Sequence, residues 1–405
     1  MRVQRRFFLT ALLMPTLTAA VGIDGGAVFQ IAAVENLGLD ARVVGIAFGL
    51  GVLSVPVQLL AARMPLWRAR RNIQLFLGIT AVQCAVLALL LATAGPGDRI
   101  AVVALVVTVL AEISLSVLYA TAWHPLLSFA LTPVERQRLN SRGFAASGLL
   151  KAGAALLFGA VVLGGRVAYF VVAAAVAVGL AYVLRHVPAP ERPPPSTAKS
   201  STRIPDAARP LYVVVGLTAA GAWPLFIVYV DNVLWPTINL GLVAAVQLAG
   251  SLLAAAFWKT TTGEVQGRAR WAAAASAACA FALATIDAPV GRPVEQLVFF
   301  VSLAGAAAAT STVFMTVMEL AHRVIDPETS VRAMTLYDVA ASTSMQTGLL
   351  VAGFLVAASD DGGGRADLYR LYLVAVAALT LLALTRLGRR RPARPPGDRS
   401  TADAG

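Results

Sequence analysis

The sequence predicts an all-α membrane protein: twelve transmembrane helices in two pseudo-symmetric six-helix bundles. Three observations lead there. The chain is 58% hydrophobic and only 13% charged, against roughly 25% charged residues in an average soluble domain. Apolar runs of about 20 residues, the length that crosses the hydrocarbon of a bilayer, recur throughout. The second half repeats the first across a polar stretch, His186 to Arg209, whose proline-rich and charged composition cannot build a core.

Taken in order, the apolar runs place spans near 8–33, 42–62, 72–95, 100–122, 143–164, 167–185, 211–230, 239–258, 271–286, 296–318, 336–358 and 368–386. The expected organisation is an N-terminal bundle (1–185), a linker (186–209), a C-terminal bundle (210–387) and a disordered tail (388–405). The basic start MRVQRR followed by apolar residues imitates a signal peptide. The apolar run continues to Val34, longer than such signals, so it reads as a retained first span.

The net charge of +12 is an orientation signal. With both termini cytoplasmic, only Arg42, Arg99, Arg166, Arg292, Arg365 and Arg370 fall on the outer side, and Lys151 lies inside a span. Every other Lys and Arg is cytoplasmic, as the positive-inside rule requires. The expectation is a multi-pass protein of the cell membrane that binds no nucleic acid. Cys84 and Cys279 both fall inside spans, which excludes a disulfide framework.

The repeat is specific. Glu35 matches Asp231, Asn36 matches Asn232, Gly45 matches Gly241 and Arg63 matches Lys259, each pair 196 residues apart. Pro133 and Arg138 recur as Pro327 and Arg332, offset 194, and Ala145-Ala146-Ser147 recurs as Ala340-Ala341-Ser342, offset 195. Offsets this steady point to duplication of a six-helix unit, with the halves related by an axis along the membrane normal.

In these features the chain resembles the major facilitator superfamily of secondary transporters, over about 7–387. The resemblance rests on six plus six spans, a long polar central loop, and the basic loop AARMPLWRARR after the second span. It implies alternating access around a cavity lined by the first and fourth helices of each half, in a protein working as a monomer.

An ionisable group near the bilayer centre is costly and marks a functional candidate. Glu112 lies 13 residues after Arg99 and 12 before His124, about 18–20 Å from each at 1.5 Å per residue. Asp24 lies about 16 Å from either face once the first span is aligned with the seventh through the repeat. Lys151 falls in the inner-central part of the fifth span. Their counterparts Ala220, Ala307 and Gln346 are uncharged. Two carboxylates and one ammonium leave one acid poorly paired, able to take a proton or a cationic substrate. The competing structural reading is an ion pair between the fourth and fifth spans, with Asp24 hydrogen-bonded to a neighbouring helix.

Trp223, beside the helix-kinking Pro224, is the one tryptophan away from a span end, and it is a candidate pocket aromatic. Tyr119, Gln247 and Gln346 are candidate substrate contacts. So are Ser54, Gln58, Ser147, Ser251, Thr310, Ser311, Thr312 and Ser342, although each of these serves equally well as a helix-to-helix hydrogen bond. Asp338 and Arg332 at one face, and Glu35 and Asp231 at the other, are candidate gate residues. His124 receives no role.

Metal-ligand spacing, a nucleophile motif and a phosphate-cradling glycine loop are absent from the sequence. The expected function is therefore not enzymatic and needs no cofactor. It is secondary active transport of a small molecule, with protons as the coupling ion and efflux of an amphipathic metabolite or drug as the direction. Import of a small organic anion is the alternative, as is a lipid translocase or sensor that keeps the scaffold without coupled transport.

Overall fold

The structure is a computed structural model. It describes residues 2–388 except 22–28, 30–32, 34–36, 62–65, 96–97, 133, 137, 144, 147–148, 150–162, 188–208, 223–225, 236, 261–264, 288–291, 324–329 and 361–367. The described elements are helical. They are α1 (Arg2–Val21), α2 (Ala41–Gly49), a 3-10 turn (Leu50–Leu53), α3 (Ser54–Ala61), α4 (Ala69–Thr93) and α5 (Ile100–Leu118). A π-helical turn (Tyr119–Trp123) leads into α6 (His124–Ala130), followed by α7 (Leu163–Leu184). The second half holds α8 (Arg209–Ala222), α9 (Phe226–Tyr229), a second π turn (Val230–Leu234), α10 (Leu240–Thr260), α11 (Val265–Ala284), α12 (Pro293–Arg323), α13 (Ser330–Asp360) and α14 (Leu368–Gly388).

Seven helices among the described residues are long and apolar enough to cross a membrane: Arg42–Leu60, Ala69–Thr93, Ile100–Leu127, Val167–Leu184, Pro293–Glu319, Thr335–Val356 and Leu368–Thr385. Each coincides with an expected span. The fifth expected span lies mostly outside the described residues, as do the linker and the C-terminal tail. The chain is a multi-pass membrane protein.

Helix α4 shows how the sequence makes such an element. Leu75, Ile79, Val82 and Leu89 are exposed at helical spacing, while Ile73, Leu77, Cys84, Leu87 and Leu91 on the other side are buried. Apolar residues outside and apolar residues inside can coexist only where the surroundings are lipid. Polar side chains turn inward, and hydroxyls that lack a distant partner bond their own helix: Thr80 donates to the Phe76 carbonyl and Thr108 to that of Ala104.

Within the first half, α7 packs against α4 and α1, and α5 against α4. Within the second, α12 packs against α10 and α11, and α14 against α11 and α8. Small residues permit the close approaches. A Cβ built on Gly250 of α10 would collide with the Cβ of Ala307 on α12.

The principal contact between the halves is α2 against α13. A Cβ on Gly45 would lie 2.6 Å from the Cα of Gly353 and 2.9 Å from the Leu349 carbonyl oxygen, so the backbones meet there without side chains between them.

Two sets of contacts mark opposite ends of the molecule. At the basic end, Arg6 and Arg70 donate to the carbonyls of His186 and Val187. Lost hydration, then the charges of Arg185, Arg6 and Arg70, hold the His186 imidazole below its ordinary pKa. Gln4 bonds Glu135, whose carboxylate accepts from the Thr132 amide and hydroxyl at 2.9 Å each. This is a capping box at the start of the helical turn 134–136. At the opposite end Arg370 pairs with Asp287 and donates to the Tyr229 hydroxyl, beside a stack in which the Tyr229 and Tyr369 centroids are 4.4 Å apart.

Candidate functional site: a cavity between the two halves

A cavity of about 340 Å³ lies where the two halves face each other. Its first-half wall comes from α1 (Met14, Pro15, Thr18), the π turn and start of α6 (Tyr119, Trp123, His124) and Asn140. Its second-half wall comes from α12 (Ser311, Phe314, Met318) and α13 (Tyr337, Asp338, Ser342, Met345).

Pro15 interrupts the hydrogen-bond ladder of α1 beside this space, and Thr18 donates to the Pro15 carbonyl at 3.1 Å. The π turn accommodates one extra residue and re-aims the start of α6. Tyr119 and His124 thereby sit together, ring centroids 5.7 Å apart, with Trp123 buried beside them.

Asp338 is 8% exposed, and among the described residues its Oδ2 has no hydrogen-bond partner. Ser342, one turn on, donates to the Asp338 backbone carbonyl, and Tyr337 donates to that of Phe314 at 3.2 Å. Most hydroxyls of the wall are thus committed to backbone.

Farther from the basic end, Glu112 is fully buried and its Oε1 accepts a hydrogen bond from Gln346 Nε2 at 2.9 Å. The bond joins α5 of the first half to α13 of the second. Gly51 of the turn after α2 faces it, and a Cβ there would stand 2.7 Å from Gln346 Nε2 and 2.9 Å from Glu112 Oε1. Toward the far end from this bond lies the Gly45–Gly353 contact, so the halves are closed together on that side of the cavity.

No family model and no curated protein sequence matches the chain. Solved structures do. A bacterial homologue of the iron transporter ferroportin, outward-facing, superposes with a TM-score of 0.68 at 14% identity, over 96% of this chain and 100% of that one. The proton:xylose symporter XylE gives 0.67 at 10% identity, over 96% of each chain. The human organic anion transporter MFSD10 gives 0.61 at 13% identity, over 95% and 99%. The chain has the major facilitator fold. At these identities the likeness is one of backbone arrangement.

Within the major facilitator fold, the expected site residues divide into three groups. Tyr119, Ser311, Ser342 and Asp338 line the cavity, and Glu112 and Gln346 are joined beside it. Asp338, expected at a gate, stands in the cavity wall. Others are engaged elsewhere: Gln58 donates to Ser54 at 3.4 Å, Thr312 to the Ala308 carbonyl, and Thr310 meets Ser276 at 3.3 Å. Gln247 is half-buried on α10 and is not in the cavity wall.

Asp24, Glu35, Ser147, Lys151 and Trp223 lie outside the described residues, as do the side chains of Asp231, Ser251 and Arg332. Sequence reasoning missed His124, Trp123 and Asn140. An α-helical count puts His124 at a span end, and a π turn leaves no mark in hydropathy.

Proposed function

We propose that the chain is a secondary transporter that moves a small molecule across the cell membrane by alternating access. The observation that carries this is the cavity walled by both halves, with closure between the halves lying to one side of it. A rocking motion that parts α2 from α13 would transfer access to the other side. The reading includes twelve spans in two bundles (1–185 and 210–387), both termini cytoplasmic, and a monomer as the working unit. Arg6, Arg70 and Arg136 at the basic end support that orientation.

Coupling to protons with export as the direction is the form we favour. Glu112 sits where the halves meet, and protonating it changes what it can accept from Gln346, so proton occupancy and the state of the seam are linked. Asp24 and Lys151 complete the coupling group in this scheme, with Lys151 compensating the charge of the acid that is emptied. Trp223 and Gln247 extend the substrate contacts. Glu35, Asp231 and Arg332 guard the two mouths.

The test needs no knowledge of the cargo. In a background with Cys84 and Cys279 replaced by serine, Ser311→Cys is labelled by a membrane-impermeant maleimide applied from either face of oriented vesicles. Labelling from both faces is expected. Cross-linking Gly49→Cys to Leu350→Cys, whose parent residues touch across the seam, should abolish labelling from one face and leave the other. Labelling from a single face in the uncross-linked protein would refute alternating access.

A further inference from the structure

We infer that the cargo is a small monovalent organic cation with an apolar body, and that Asp338 is the group that anchors its charge. The inference rests on the transporter reading and names the class of substrate for that cavity.

The wall has the composition such a ligand requires. Tyr119, Trp123, Phe314 and Tyr337 offer aromatic surface, which attracts cations through the ring quadrupole. Met14, Met318 and Met345 add polarizable thioethers that adapt to irregular apolar shapes. Besides the phenols of Tyr119 and Tyr337, which are neutral near pH 7, the ionisable side chains among the described wall residues are Asp338 and His124. In neither protonation state of the imidazole does the described wall carry net positive charge while Asp338 is ionised.

An organic anion would meet a carboxylate with no described Lys or Arg in the wall. A sugar would need many free donors and acceptors, yet Thr18, Ser342 and Tyr337 spend their hydroxyls on the carbonyls of Pro15, Asp338 and Phe314.

Asp338 has the features of an anchor. It lines the cavity, it is more than nine-tenths buried, and its Oδ2 is left without a partner among the described residues. A buried carboxylate without a partner is costly, and a cation beside it returns the lost solvation. Asp338 lies eight residues before Gln346 on α13, about 12 Å along the helix, so the anchor and the Glu112–Gln346 bond are separate places. Cargo and proton therefore meet different acids.

Two probes of similar size and opposite charge test this: benzyltriethylammonium and 4-phenylbutyrate, titrated onto the full chain in nanodiscs and followed by tryptophan fluorescence. Benzyltriethylammonium should bind, and Asp338→Asn should weaken it roughly tenfold or more. Asp338→Glu, which keeps the charge, should retain most of the affinity. 4-Phenylbutyrate should bind only weakly, and better to Asp338→Asn than to the parent.

Gel filtration and melting temperature check that the variants are folded. If Asp338→Asn is not folded, the Asp338→Glu and 4-phenylbutyrate arms decide. Equal cation affinity in folded Asp338→Asn, tighter binding of 4-phenylbutyrate, or binding of neither probe overturns the assignment. The maleimide experiment can succeed while this one fails, in which case the transporter reading stands and only the cargo class falls.

Discussion

Glu112 of α5 and Gln346 of α13 share a 2.9 Å hydrogen bond across the meeting surface of the two halves, and both are fully buried. Glu112→Ala takes this acceptor from a buried amide, a loss of about 1–3 kcal/mol, read as a lower melting temperature in detergent. Glu112→Gln keeps an oxygen for the bond. Its melting temperature should stay near the parent while proton-linked transport in vesicles is lost. Retained proton coupling in Glu112→Gln would remove Glu112 from the coupling scheme.

Gly45→Ala places a methyl group 2.6 Å from the Gly353 Cα, where only backbone can give way. The variant should destabilise the closed seam and raise maleimide labelling of Ser311→Cys from the side that the seam closes. Gly78→Ala on α4 meets nothing within 4 Å. It should change neither labelling nor stability by more than about 1 kcal/mol, the difference in helix propensity.

Two exposed carboxylates set an acid limit. Glu135 is held below its ordinary value first by the Thr132 amide and then by the Thr132 hydroxyl, and Asp287 by the Arg370 hydrogen bond and charge. A folded pKa below the unfolded one means the stabilisation is complete above the ordinary value and is lost as pH falls through the folded value. Glu135→Gln and Asp287→Asn should each melt earlier than the parent at neutral pH. The gap should close as pH is taken below 4.5 for the first and below 3.8 for the second.

Arg136, buried in the first turn after the Thr132–Glu135 capping box, donates to the Leu131 carbonyl at 3.0 Å. Burial lowers its pKa and the charge of Glu319 on α12 raises it. Because the two come from different halves, Glu319→Gln and Arg136→Gln should each reduce thermal stability, and the double variant should be less impaired than the sum of the two. A double-mutant cycle measures that coupling. Strict additivity would show that the pair does not act together.

Much of this could be read from the chain. Apolar run length and helical periodicity located α4, α7, α12 and α14 to within a few residues, because in lipid each helix satisfies its own backbone and needs no distant partner to be recognised. Counting residues from the span ends set Glu112 at mid-depth, and it is buried against Gln346, the repeat counterpart of Lys151.

The cavity wall was harder to read. Asp338 resembles a helix-end residue because the apolar run begins near 336, yet α13 begins at Ser330, and α12 and α13 each run 31 residues, about 46 Å and well beyond the hydrocarbon thickness. Asp338 therefore stands about two turns inside α13, in the cavity wall. Ser54, Gln58 and Thr312 have the composition of a binding surface and bond within their own helices instead. Composition alone does not separate those two uses of a hydroxyl or an amide. The Thr132-to-Glu135 capping box was there to be found from its spacing.

The interlock of Gly250 with Ala307 bears on where the second half could carry a buried acid. Ala307 stands at the position that matches Glu112 of the first half, 195 residues on, and its methyl already fills the space a side chain on Gly250 would need. An acid could be placed at that spot only by wedging α10 away from α12. The packing that brings α10 and α12 together there bars a carboxylate from the second half at this position, so the two lobes are not exchangeable parts.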